Sequence, residues 1–170
     1  MFYGNNYLEL SRVVIVDIDN KKIKPISIIA QPEYDTPPRS IQTGDKDIVF
    51  DGTLSERPFP YIYHSGDWIN ARFEILIPPT IIKYIIIYGR SDYQSPRDYT
   101  HPGRLSFFTL KLRSAPNVSL NWSIDLVEDT PSNIIASVQL SGVGASEAYR
   151  LTDSWLVKVD VATAVNEIQS

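Results

Sequence analysis

A chain of 170 residues with 43% hydrophobic side chains can bury the core of one domain and is too apolar to stay disordered. Its formal net charge of -4 provides no basic stripe to neutralise phosphates, which argues against a nucleic-acid partner. Cysteine is absent, which removes disulfides, thiolate metal sites and cysteine nucleophiles together.

The opening residues, MFYGNNYLEL, show no basic segment followed by an apolar one, so no secretory signal is expected. Strand signals follow. LSRVVIVDI (10–18) is rich in β-branched residues, and Asp19 and Asn20 supply a turn after it. KIKPISIIAQ (22–31) reads as a second strand, with Pro25 near its start as an edge strand or bulge allows. Residues 31–46 carry Pro32, Pro37, Pro38 and Gly44 and form a long loop. DIVFDG (47–52) reads as a short strand ending in a turn, and ERPFPYIYHSGD (56–67) as an aromatic, proline-rich connection.

The strongest strands come next. ARFEILI (71–77) places Phe73, Ile75 and Ile77 on one face and Arg72, Glu74 and Leu76 on the other. Pro78 and Pro79 stop it, because they cannot donate ladder hydrogen bonds. IIKYIIIYG (81–89) is apolar enough to be a central strand buried on both faces. Glu74, Pro78, Pro79 and Lys83 interrupt this longest apolar region, so it is not a transmembrane helix. LSFFTLKLRS (105–114), SLNWSIDLV (119–127), NIIASVQLS (133–141) and DSWLVKVDVA (153–162) complete a series of roughly eight strands. No segment shows a sustained helical period with caps, and GASEAYRL (144–151) suggests at most one helical turn. The expectation is a single all-β domain over 1–170, an antiparallel jelly-roll-type β-sandwich, with Phe73, Ile75, Ile85, Ile87, Phe108 and Leu110 in one interior.

The order of certain pieces resembles the discoidin, or coagulation factor 5/8 type C, family of galactose-binding-like sandwiches. Asp51-Gly52 followed by Tyr63, His64 and Ser65 is similar to that family's turn and aromatic segment. Arg72 to Leu76 resembles its next strand. IKYIIIYGRSD (82–92) resembles its most specific strand, with Gly89 where Asn is usual, and Arg104-Leu105 opens the strand after it. The resemblance covers about residues 45–112. It implies a jelly roll whose loops at one end present groups to a ligand, including a sugar.

Arg90, Asp92, Tyr93, Arg97, His101 and Arg104 are the candidate ligand-binding or turn-holding residues. Arginine forks suit carboxylates and hydroxyl pairs, and Tyr93 or Tyr99 offers a ring face to a sugar. The competing reading is that Arg90 pairs with Asp92 or loop carbonyls and holds the turn, with Gly89 permitting a sharp or left-handed exit. Tyr34, Pro37, Pro38, Phe59, Tyr61, Tyr63 and Trp68 are the candidate partner contacts, because proline limits ordering entropy and aromatics give contact area. No metal or cofactor is expected. Two histidines, His64 and His101, have no ligand spacing, and Asp45, Asp47 and Asp51 lack the glycine-centred calcium-loop register. The nucleophile elbow, phosphate loop and dinucleotide fingerprint are all missing, so no enzyme is expected. Two sequons, Asn117-Val-Ser119 and Asn121-Trp-Ser123, read as chance in a chain without a leader.

Two functions fit. In one, the chain is a structural subunit, partnered by other protein subunits in a virus capsid, within the virion or an intracellular assembly. In the other it is a lectin-like module binding glycans through 89–104.

Overall fold

The computed structural model describes residues 2–4, 9–31, 48–55, 63–64, 71–89, 105–106, 108–113, 134–142 and 146–169. Over these residues the protein is all-β with one short helix. The strands are β1 (Phe2–Gly4), β2 (Glu9–Asp17), β3 (Ser27–Gln31), β4 (Tyr63–His64), β5 (Ala71–Leu76), β6 (Ile82–Gly89), β7 (Phe108–Arg113), β8 (Ile134–Gln139), β9 (Ser146–Thr152) and β10 (Trp155–Val159). The helix is α1 (Val161–Gln169). All pairings are antiparallel. They build a first sheet in the order β3-β5-β1-β7-β8 and a second in the order β10-β9-β6-β2-β4.

The two sheets bury their inner faces in one apolar layer. The first contributes Phe2, Phe73, Phe108, Leu110 and Ala136, and the second Leu10, Val13, Ile15, Ile85, Ile87, Tyr149 and Leu156. The expected interior is therefore present, with Ile75 half-buried against it. Phe2 packs edge-on to Phe73 with ring centroids 6.2 Å apart, and Phe50 stacks on the same ring at 6.3 Å.

IIKYIIIYG is buried on both faces, as its composition requires. Ile85 and Ile87 point into the inter-sheet layer, while Tyr84, Ile86 and Tyr88 point the other way. That second face, with Val14, Val16 and Ala148, is covered by Ala164, Val161, Val165 and Ile168 of α1 and by Leu54. Two bulges tune the alternation. Leu10 lies opposite Gly89 and Arg12 opposite Tyr88, so Ser11 is an extra residue. Its hydroxyl donates to the carbonyls of Tyr88 and Gly89, each 3.1 Å away. The insertion lets both Leu10 and Val13 face the interior although three positions separate them. Lys83 is the extra residue at the other end of β6.

Several elements differ from expectation. DIVFDG contains a 3-10 turn, Ile48–Phe50, in place of a strand. Asp51 accepts from the Thr53 amide at 2.9 Å and Gly52 takes φ 79°, so the Asp-Gly pair turns the chain while Val49 enters the core. The suggested helical turn at 144–151 is strand β9 from Ser146 onward, because hydrogen-bonded neighbours on both sides, β6 and β10, override local propensity. The expected strand 153–162 ends at Val159, and α1 follows. Asp160 caps it, its side chain accepting from the Thr163 amide at 3.0 Å and the Thr163 hydroxyl at 2.9 Å. β1 was not anticipated, and SLNWSIDLV lies outside the described residues.

The helix is also held by charge. Glu167 pairs with Lys83 and accepts a hydrogen bond from the Tyr84 hydroxyl. Lys83 donates in addition to Asn20 Oδ1 at 3.0 Å, and Arg150 lies over the Tyr84 ring at 5.8 Å. Hydrogen bonds from Lys83 and Tyr84 hold the Glu167 carboxyl below the usual range.

Two outcomes are expected. Ile87→Ala removes a fully buried side chain from the inter-sheet layer and should cost about 2–5 kcal/mol in chemical denaturation. A cost below about 1 kcal/mol would mean that β6 is not central. Because the folded Glu167 carboxyl is depressed, its contribution to stability is complete above the unfolded value of about 4.3 and disappears as pH falls through the folded value. Glu167→Gln should therefore lower the melting temperature at pH 7 and leave it close to wild type at the acid end.

Candidate functional site

The strand registers define two ends. Gly4 lies opposite Ala71 and Phe108, Leu10 opposite Gly89, and Glu9 opposite His64, so these residues share one end of the two sheets. Gln31, opposite Arg72, and Ser146, opposite Tyr88, belong to the same end. The described residues flanking 5–8, 65–70, 90–104 and 143–145 all sit there, as do Gln31, ahead of 32–47, and Ser55, held beside Arg12.

Among the described residues, four of the five buried polar or charged ones, Glu9, Ser11, Arg12 and Glu147, gather at this end of the second sheet. They fall on both faces of it. On the outer face Arg12, opposite Tyr88, has its Nε 3.3 Å from Asp51 Oδ1, and its NH1 donates to the Ser55 carbonyl. Nε is off-line for a hydrogen bond, so Asp51 is reached instead through NH2, which donates to its Oδ2 at 3.5 Å beside the contact to Ser55. Together they pin residues 51–55 along β2.

On the inner face Glu147, opposite Ile87, is fully buried between the sheets. Its Oε1 accepts from the Ser141 amide at 2.7 Å, the Ser141 hydroxyl at 2.8 Å and the Tyr149 hydroxyl at 2.6 Å, and its Oε2 from the Gly142 amide at 3.1 Å. Lys158 Nζ reaches the Ser141 oxygen at 2.7 Å. A carboxylate satisfied by four donors is a clamp, because each bond to the charged form offsets part of its desolvation cost. It ties the end of β8, in the first sheet, to β9 in the second. Gly142 takes φ 65°, a left-handed conformation that presents its amide to Glu147. Burial first, then the hydrogen bond to Glu147, pushes the Tyr149 phenol far above its usual range.

Arg90, Asp92, Tyr93, Arg97, His101 and Arg104 lie outside the described residues, as do Tyr34, Pro37, Pro38, Phe59, Tyr61 and Trp68. Tyr63 is in β4, with its backbone opposite Leu10. Gly89 is the last residue of β6 and pairs with Leu10; the described glycines with positive φ are Gly52 and Gly142, so of the sharp or left-handed exit expected there Gly89 does not take the left-handed form, and the residues after it lie outside the described ones. Glu147, Ser141, Tyr149 and Arg12 were not singled out from sequence. The Ser-Gly pair at 141–142 was the available turn signal. Among the described residues no three His, Cys, Asp or Glu side chains are grouped as metal ligands.

Compared with known proteins, the chain matches no family model, no curated protein and no solved structure.

Glu147→Gln places an amide NH2 among groups that all donate, and should cost about 1–3 kcal/mol through unsatisfied buried donors. For Tyr149 the folded pKa is raised, so the neutral phenol's contribution is complete below the ordinary value of about 10 and is lost as pH climbs through the folded value. An ultraviolet titration should show a tyrosine component that ionises only as the protein unfolds, and Tyr149→Phe should reduce that component by one tyrosine. Loss of a freely titrating tyrosine instead would contradict the buried geometry.

Proposed function

We propose that this chain is a non-enzymatic structural subunit of a larger protein assembly, of the kind that builds a virus shell, in the virion or as an intracellular assembly. We read its two sheets as a jelly-roll-type sandwich akin to the discoidin group. One observation carries this reading. The registers and the Arg12 contact bring Gln31 ahead of 32–47, Ser55 and Tyr63 on either side of 56–62, and His64 and Ala71 on either side of 65–70 to a single end. Proline-rich and aromatic segments such as these suit contact with neighbouring subunits. At that end the Arg12 and Glu147 networks fix the ends of β2, β8 and β9, so the sheets form a firm base for such contacts. A lectin-like role rests on the same end, because Gly89 and Phe108, the strand ends on either side of 90–104, also sit there.

Deleting Glu33 to Arg39 separates folding from assembly. The shortened chain should keep its melting transition and fail to join its assembly in co-expression. Normal incorporation would sink the subunit reading for that segment. Arg90→Ala separates the subunit from the lectin. If Arg90 holds its turn, the variant should melt lower, since each lost hydrogen bond to a charged group is worth about 1.5–3 kcal/mol. A variant that melts like wild type but loses a glycan bound by wild type on an array would establish the lectin instead.

A further inference from the structure

We propose that α1 is a strap that opens by itself: the helix leaves the second sheet as one unit, turning about Asp160, while both sheets stay folded, and the Glu167 contacts in its last turn act as the catch. This goes beyond the subunit reading and does not depend on it.

Two separate apolar clusters make such an opening possible. The inter-sheet layer, built around Phe2, Phe73, Ile85 and Ile87, contains no residue of α1. The outer cluster, Val14, Val16, Tyr84, Ile86, Tyr88 and Ala148, is the one that α1 covers, with Leu54 beside it. Removing the helix uncovers the outer cluster. It leaves the inter-sheet layer and the pairing of β6 with β2 and β9 as they are. An opening that breaks one cluster costs less than one that breaks both, which is the condition for a unit that opens ahead of the whole.

The helix moves as a whole. Nine residues are too few to hold a helix in water, so leaving the sheet and unwinding are one event. At its start a single residue, Asp160, separates α1 from β10 and caps it through Thr163. That makes Asp160 the hinge. In the last turn Glu167 pairs with Lys83 and accepts from the Tyr84 hydroxyl.

A carboxylate in the last turn works against the helix dipole. Glu167 therefore gives an undocked helix no support. Its charge favours the docked helix through the groups it meets on the sheet, Lys83 and Tyr84 of β6 and Arg150 of β9. β2 meets the helix with Val14 and Val16, which carry no charge. While α1 is docked, these contacts hold the Glu167 carboxyl below its usual range. The catch is thus complete above the undocked value of about 4.3 and weakens as pH falls through the docked value, so acid raises the open population.

Amide hydrogen exchange on the whole chain reads the opening. At pH 7 the α1 amides should be protected at least about tenfold less than those of Ile85 to Ile87, because α1 opens without the sheets. Glu167→Gln removes the catch and keeps every apolar contact. It should lower α1 protection about two- to fivefold at pH 7, the weight of an exposed ion pair, and flatten its fall on acidification. Thiol labelling gives a second reading. Ala164→Cys carries the only thiol of the chain at a fully buried position under the helix, and Val13→Cys carries the only thiol in the inter-sheet layer. The thiol at 164 should react with a maleimide as α1 opens, and the thiol at 13 should wait for global unfolding. Helix amides as protected as those of β6 would overturn the strap, and so would equal labelling at 164 and 13. Wild-type protection of α1 in Glu167→Gln would overturn the catch.

Discussion

β6 is apolar on both faces, and the rest of the molecule is arranged to satisfy that. Burying an Ile side chain is worth about 1.5–3 kcal/mol, so leaving either face of Ile85, Ile86 and Ile87 in water would forfeit several kcal/mol. One face is met by the first sheet through Phe2, Phe73 and Phe108. The other cannot be met by a sheet, because β2 and β9 already flank β6 in its own plane. It is met by α1 and by Leu54. A nine-residue helix is too short to be stable alone, so its four apolar contacts and the Asp160 cap hold it in place as much as it covers them.

The bulges follow from the same demand. β2 is buried almost throughout, and it has to serve the inter-sheet layer with Leu10, Val13 and Ile15 and the helix side with Val14 and Val16. Strict alternation would put Leu10 and Val13 on opposite faces. The extra Ser11 corrects the phase, and its hydroxyl donates to the Tyr88 and Gly89 carbonyls across the bulge. Lys83 does the same for β6. It moves Ile82 to the core side while Tyr84 faces the helix, and its own ammonium is free to reach Glu167 and Asn20.

The periods of the strongest strands were legible in the sequence. The alternation of 71–77 and the unbroken apolar run of 81–89 express burial directly, one face in the first case and two in the second. β1 was not legible, because three residues have no period. β9 was hidden by Ala148, Glu147 and Arg150, which suit a helix locally and are forced into a strand by neighbours on both sides. α1 left a trace in the spacing of 161, 164, 165 and 168 after Asp160, but two turns are short for a periodic signal and abut a strand without a break. Nothing in the sequence distinguishes Glu147 among 20 acidic residues. Its burial depends on where Ser141, Gly142 and Tyr149 arrive in space, and that is fixed only by the pairing of β9 with β6.

The placement of buried polar groups bears on what kind of protein this is. A buried carboxylate or guanidinium is costly, and an apolar replacement of equal shape would often be as stable. Such groups repay their cost by fixing one arrangement. Here Arg12 and Glu147 do so on opposite faces of one sheet, at the end where Gln31, Ser55, His64 and Ala71 also lie. Arg12 fixes residues 51–55 against β2, and Glu147 fixes the end of β8 against β9. Each spends hydrogen bonds on the protein's own backbone and neighbouring side chains. That economy is suited to a rigid platform whose work is done by what it displays, which is the physical content of reading this chain as a building block.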